Sequence, residues 1–217
     1  MNITRFESLG DNCELGFVLK RHQIGYSSLL RWSITSIPVL CDLLRTDFAG
    51  LYAFDNLEPC APKMLLDRGT GVKFHSDMVR DRKFVANHRA VYDQEINKVM
   101  HLRLRLQTKL RDPNAIVIYK DKHTPPQSAV QDLADLVSAR GGANLLYVTK
   151  EGDQAPGSVV RKGPHLYYGR IDRFAEYATV QDSSADVWDA ILGNADQMCP
   201  MTEPAVEGKE SPVPSKS

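Results

Sequence analysis

Two short apolar runs, Ile116-Val-Ile-Tyr119 and Leu145-Leu-Tyr-Val148, bracket a helical stretch, and this alternation constrains the fold more than any other feature. Each run is too short for a buried helix and is rich in side chains that suit a strand covered on both faces. Between them, residues Gln131 to Arg140 read as a helix, with Gly141-Gly142 as its stop. A strand, a helix and a second strand in that order imply a crossover, so part of the sheet is parallel. The spacing predicts an α/β fold, a mixed, partly parallel sheet flanked by helices in Rossmann-like layering. A single domain spanning residues 1–199 is expected. Residues 200–217 are rich in Pro, Ser, Glu and Lys with almost nothing to bury, and are expected to be disordered.

Other segments fill in around that unit. The longest helical pattern runs from His88 to Leu110. Its apolar face is Tyr92, Ile96, Val99, Leu102, Leu106 and Leu110, and Asp112-Pro113 ends it. Its polar side carries Lys98, Arg103, Arg105, Lys109 and Arg111, with Glu95 the one nearby acid, and reads as a solvated face. Ile3 to Leu9 reads as a first strand and Cys13 to His22 as a first helix. Pro38 opens a second helix behind Thr35 or Ser36. Short strands fill residues 51–77, with a hairpin at 67–71, and a terminal hairpin joins 159–161 to 165–171. Ser184 is placed to cap a last helix.

Composition narrows the function classes. The chain has 217 residues, with 27 basic and 27 acidic side chains, so no global field favours nucleic acid or an anionic membrane. No apolar run approaches the roughly 18 residues of a membrane span, and the start lacks the pattern of a signal peptide. The four cysteines (Cys13, Cys41, Cys60, Cys199) match neither paired metal ligands nor a compact disulfide scaffold. A reducing cytoplasm is the expected location. No metal site is expected. The nucleotide-binding glycine loops are absent and no cofactor is expected.

The segment Ser8-Leu-Gly-Asp-Asn-Cys-Glu-Leu-Gly-Phe17 carries the strongest chemical signal. Asp11 stands three residues before Glu14, the spacing of a capping box, which puts Cys13 near the second position of a helix. The positive end of the helix favours thiolate there, whereas Asp11 and Glu14 oppose it. A nucleophilic Cys13 must ionise below its ordinary range, and a protonated His75 is the route visible in the sequence. Residues 72–77 alternate as a strand, which would set His75 and Asp77 on one face, with Asp77 orienting the imidazole. Asn12 offers a side-chain amide to an oxyanion, and Arg31 and Trp32 are expected near Cys13 as substrate-binding groups.

These residues carry a resemblance. Ser-Leu-Gly-Asp-Asn-Cys13, then Ser28-Leu-Leu-Arg-Trp32, then Phe74-His-Ser-Asp77 resembles a bacterial family of unknown function whose members are named papain-like cysteine peptidases. The resemblance implies Cys13 as nucleophile, His75 as base and Asp77 as the acid near it, and a papain-like α+β fold as the alternative architecture. The expected function is a cysteine-dependent hydrolase or acyl transferase acting on a peptide, amide or glycan-linked substrate. The alternative is a non-catalytic binding or accessory module of a glycan-processing pathway, with Asn12, Arg31, Trp32 and His75 lining its pocket.

Overall fold

The computed structural model describes residues 1–23, 25, 27–199 and 201. Apart from Met201, the expected disordered tail at 200–217 lies outside the described residues. The strands are β1 (Phe6–Ser8), β2 (Ser33–Ile34), β3 (Leu57–Ala61), β4 (Met64–Asp67), β5 (Lys73–His75), β6 (Val79–Arg80), β7 (Lys83–Phe84), β8 (Ile116–Lys120), β9 (Asn144–Thr149), β10 (Val159–Arg161) and β11 (Leu166–Arg170). The α-helices are α1 (Glu14–Arg21), α2 (Ile37–Arg45), α3 (His88–Leu110), α4 (Gln127–Ser138) and α5 (Ala185–Met198). The result is a mixed α/β fold.

The main sheet has the order β1-β8-β9-β11-β10. The pairs β1–β8, β8–β9 and β9–β11 are parallel, and only β10 runs against its neighbour. The two apolar runs that define the fold lie side by side, with Val117 opposite Leu145 and Ile118 opposite Leu146. Period-two alternation then sorts their side chains into two layers. Ile116, Ile118, Leu146 and Val148 pack with Leu15, Val18 and Leu19 of α1 and Trp188, Ile191 and Leu192 of α5. Val117, Tyr119, Leu145 and Tyr147 face α2, α4 and the C-terminal half of α3. Burying each such aliphatic side chain stabilises the fold by about 1.5–3 kcal/mol, so the doubly covered strands anchor everything else.

A second sheet, β2-β5-β4-β3, is antiparallel throughout and shares the core of the α2 and α3 side. Its central turn is the hairpin expected at 67–71, closed by Gly71 N–H to the Asp67 carbonyl at 2.6 Å. This sheet carries Phe74 into the core and leaves His75 at its end.

Helix α3 spans the residues that its periodicity predicts. Helix α4 does not. It begins at Gln127, four residues early, because the Pro126 carbonyl accepts from Ala129 and Val130 and starts the helix there. Ser184 stands at the N-cap of α5 but makes no side-chain cap bond. Among the described residues no helix is long and apolar enough to cross a membrane. All four cysteines are free thiols.

Candidate functional site

Cys13 lies just past the carboxyl end of β1, where open parallel sheets place their ligand crevices. The turn that delivers it is over-determined. Thr35 donates its hydroxyl to the Leu9 carbonyl at 2.8 Å and accepts the Asp11 N–H at 3.3 Å. Gly10 adopts a φ of +96°, and a Cβ on it would lie 2.5 Å from the Thr35 hydroxyl. Asp11 follows with a φ of +85°, strained for a side-chain-bearing residue.

The helix start differs from the sequence reading. Helix α1 begins at Glu14, and Cys13 is its N-cap residue, with no cap bond from sulfur. The expected capping box between Asp11 and Glu14 is not formed. The left-handed backbone at Asp11 sends its carboxylate to Lys120 at 2.7 Å, and the Asn12 amide oxygen instead accepts the Glu14 N–H at 2.8 Å. Asn12 therefore has its oxygen committed to the turn. Among the described residues, no hydrogen bond engages the Leu15 or Gly16 N–H groups.

His75 ends β5, and its Nε2 lies 3.5 Å from the Cys13 sulfur. Sixty-two positions of sequence separate the two, and it is the meeting of the second sheet with α1 that joins them. Strand β5 ends at His75, and Ser76 turns the chain, its hydroxyl accepting the Met78 N–H at 3.0 Å, while the alternation continues with Ser76 buried and Asp77 exposed. Asp77 is exposed, and no hydrogen bond or ion pair joins it to His75 among the described residues. Glu95 of α3, read as part of a solvated face, instead clamps this turn. Its carboxylate accepts from the Ser76 hydroxyl at 2.7 Å, the Asp77 N–H at 3.0 Å and the Tyr52 hydroxyl at 2.7 Å. Tyr52 also packs edge-on against Phe74, the residue before His75, with ring centroids 5.1 Å apart.

Beneath Cys13 is a buried ionic cluster that the sequence reading missed. Lys120, the last residue of β8, is wholly buried and sits 2.7 Å from Asp11 and 3.0 Å from Glu14. The other oxygen of Glu14 accepts the Trp188 indole N–H at 3.1 Å, and the ring of Phe174 lies 4.8 Å from the Lys120 nitrogen. Burial pushes the Asp11 carboxyl up, against the pull of Lys120. Burial also pushes the Cys13 thiol above its ordinary value, and the Lys120 charge only partly opposes it. Burial thus opposes the depression that sequence reasoning required of a nucleophile. Asp11 and Glu14 already claim the Lys120 ammonium.

Trp32 and Arg31, adjacent in sequence, part company. Trp32 packs edge-on against Phe17 at 5.1 Å, and its ring covers Gly16 so closely that a Cβ there would lie 2.7 Å from it. Gly16 is one turn from Cys13, which places Trp32 beside the site. Arg31 is buried instead, and its charge acts on Glu7, a carboxyl that burial pushes up and that takes the Ser28 hydroxyl. A cavity of about 440 Å³ opens beside His75, walled by Leu29, Trp32, Tyr52, Phe74, Val99 and Leu102, with Glu95 and Lys98 among its polar groups. Arg31 does not line it. Among the described residues no cluster of three or more His, Cys, Asp or Glu could hold a metal ion. No family model, no curated protein and no solved structure matches this chain.

Proposed function

We propose that Cys13 and His75 form a thiol-dependent acyl-transfer dyad, acting as a hydrolase of peptide, amide or thioester bonds or as an acyl transferase. The 3.5 Å contact between sulfur and imidazole carries this reading, since a base must come within hydrogen-bond reach of the proton it takes. Burial holds the thiol neutral at rest, so His75 removes its proton as sulfur bonds to the substrate carbonyl carbon. That proton passes to the leaving group as the carbonyl bond to it breaks. Water or an acceptor nucleophile then attacks the thioester, giving its proton to His75 and restoring the thiol. The Leu15 and Gly16 N–H groups at the start of α1 suit the oxyanion, and the Asn12 side-chain NH2 is a further donor, since only its oxygen is engaged by the turn. Asp77 has no part in orienting His75 in this reading, and the Glu95 clamp positions the imidazole through the chain.

For the fold we favour Rossmann-like layering, with helices on both faces of a largely parallel sheet, over a papain-like α+β arrangement. The resemblance to papain-like peptidases then reduces to the order of cysteine before histidine along the chain. One observation favours the alternative of a non-catalytic binding module: the raised Cys13 thiol. In that reading Trp32 and His75 line a pocket for a ligand of a glycan-processing pathway, and sulfur only packs. Iodoacetamide labelling of Cys13, followed by mass spectrometry from about pH 5 to about pH 9, separates the two. The dyad should give substantial labelling at neutral pH that falls at least about tenfold in His75→Ala, leaving a rate that rises only with thiolate. Equal, slow labelling in both proteins would overturn the dyad.

A further inference from the structure

On the α4 side of the main sheet the helical cover stops short. Tyr147 of β9 stands opposite Tyr168 of β11, and Tyr168 opposite Val160 of β10, so the three form one row across three strands. Tyr147 is packed into the core that α4 shares, whereas Tyr168 and Val160 are half-buried. The chain runs from β9 to β10 as a loop, residues 150–158, and lays no helix over them. A cavity of about 370 Å³ stands on this row, between the first turn of α4 and the loop. It is separate from the Cys13 pocket: β1 and β9 are two strand spacings apart, about 10 Å.

The floor of this cavity holds an unsatisfied donor. Tyr147 is 3% exposed, and its hydroxyl has no hydrogen-bond partner among the described residues. The Thr149 hydroxyl is near it but outside bonding geometry, and accepts the Glu151 N–H at 3.0 Å instead. Burial and the Asp121 charge push the Tyr147 hydroxyl above its ordinary range, so it stays protonated and able to donate. A buried hydroxyl without a partner is unfavourable, and here a ligand oxygen can supply one.

Groups of both signs border the same space. Helix α4 begins at Gln127 with no side-chain cap bond, and no hydrogen bond engages the Gln127 or Ser128 N–H among the described residues. The Lys162 ammonium lies 5.9 Å from the centre of the Tyr168 ring and has no carboxylate partner among the described residues. The loop brings two acids: Glu151, which takes the Thr124 hydroxyl, and Asp153, which has no partner among the described residues. Arg170 adds no free charge, because the Gly152 and Ile171 carbonyls engage its guanidinium and so fasten the loop to β11.

A dianion such as a phosphate ester would set one free ammonium against two carboxylates. A simple cation would leave the Tyr147 hydroxyl and the α4 N–H groups without an acceptor. A ligand with one charge of each sign meets both sets. We infer that this cavity binds a free α-amino acid with an apolar side chain, its carboxylate on the Tyr147 hydroxyl towards Lys162 and the start of α4, its ammonium towards Asp153 and Glu151, and its side chain on Tyr168, Val130 and Val160. The occupant is a single amino acid because it carries both charges on one carbon, whereas a peptide holds them at opposite ends. The volume is at the small end of ligand sites, about 300–1,000 Å³. The site stands whether or not the Cys13–His75 pair is catalytic.

Isothermal titration calorimetry of the full chain against the common L-amino acids tests this. One or more with an apolar side chain should bind with a Kd at or below about 1 mM. Its N-acetyl and carboxamide derivatives, each lacking one charge, should bind at least about tenfold more weakly. Tyr147→Phe removes only the hydroxyl. It should leave the melting temperature of the ligand-free protein unchanged or raised, since no partner is lost, and weaken binding at least about tenfold. Lys162→Gln and Asp153→Asn, both at exposed positions, should each weaken binding several-fold. No heat from any amino acid up to about 10 mM would overturn the proposal. So would binding indifferent to Tyr147→Phe, derivatives that bind as well as the free amino acid, or a lower melting temperature in Tyr147→Phe, which would show the hydroxyl already partnered. Binding of inorganic phosphate or glucose in place of the amino acids, lost in Tyr147→Phe, would overturn it in favour of a phosphate ester or a sugar. Amino-acid binding that disappears in Cys13→Ser would move the ligand to the Cys13 pocket and overturn it as well.

Discussion

Cys13 and His75 touch, yet the structure holds them by opposite means. Cys13 stands on a turn fixed from below by buried charge: Lys120, Asp11 and Glu14 interlock where β1, β8 and α1 meet, and Trp188 of α5 closes the network. His75 stands at the exposed end of a three-residue strand, steadied from one side by a single carboxylate, Glu95. A buried ionic cluster has few alternative arrangements, because any charge that leaves it is stranded in a medium that solvates it poorly. A hydrogen-bonded turn at the surface can loosen and let water take over its bonds. The difference teaches that sulfur is the fixed partner of the pair and imidazole the adjustable one, which is what the proposed dyad would need of a proton carrier.

The largest effect should come from the fixed side. Lys120→Met leaves Asp11 and Glu14 without their cation in the interior, a loss expected to cost about 3–5 kcal/mol. Urea unfolding measures it, and a cost below that of any Glu95 variant would break the comparison. Glu95→Gln should cost less, about 1–3 kcal/mol, because the exposed turn can exchange lost bonds for water. Its sharper signature is a several-fold drop in Cys13 labelling at neutral pH in protein that remains folded. An unchanged labelling rate would show that the carboxylate supports the turn without positioning His75.

The smallest effect concerns Glu7, buried beside Ser28. Burial raises its carboxyl above its ordinary value of 4.5, against the Ser28 hydroxyl and the Arg31 charge. The folded chain therefore binds this proton more tightly than the unfolded chain does. Its contribution is fully present below 4.5 and is lost as pH rises through the folded value. Glu7→Gln, which cannot titrate, should flatten the decline of stability with pH over that range when urea unfolding is compared on both sides of it. A decline identical to wild type would place the linked proton elsewhere.

How much of this was legible from residues alone depended on distance along the chain. Helix α3, with a six-residue apolar face and an Asp-Pro stop, reads correctly from end to end because its signal is local. So do β8 and β9, whose apolar runs need only neighbours on both faces. Cys13 and His75 stand out in the sequence separately, each from its own short motif, and the structure brings them within 3.5 Å. Lys120 was not, because a single lysine after a β-branched run reads as the exposed end of a strand. Its partners lie over a hundred positions away, and only the parallel pairing of β1 with β8 brings them to it. Glu95 escaped for the same reason, since its three donors come from the loop before β3 and the turn after β5. Asp77 falls on the exposed side with His75, as alternation predicts, but no hydrogen bond or ion pair joins the two among the described residues: alternation assigns a side and not a contact.

The parallel pairing of β1 with β8 also bears on how the chain is made. Among the described residues β1 lies at the edge of its sheet, with β8 as its strand neighbour. During synthesis the first strand leaves the ribosome more than a hundred residues before its partner exists, as Phe6 pairs with Ile116. Throughout that interval Phe6 and Leu15 lack the strand they pack against, and Asp11 and Glu14 lack the lysine that pairs with them. The turn that carries Cys13, braced in the finished molecule by a buried ionic cluster, is therefore assembled from early residues and completed only when β8 arrives.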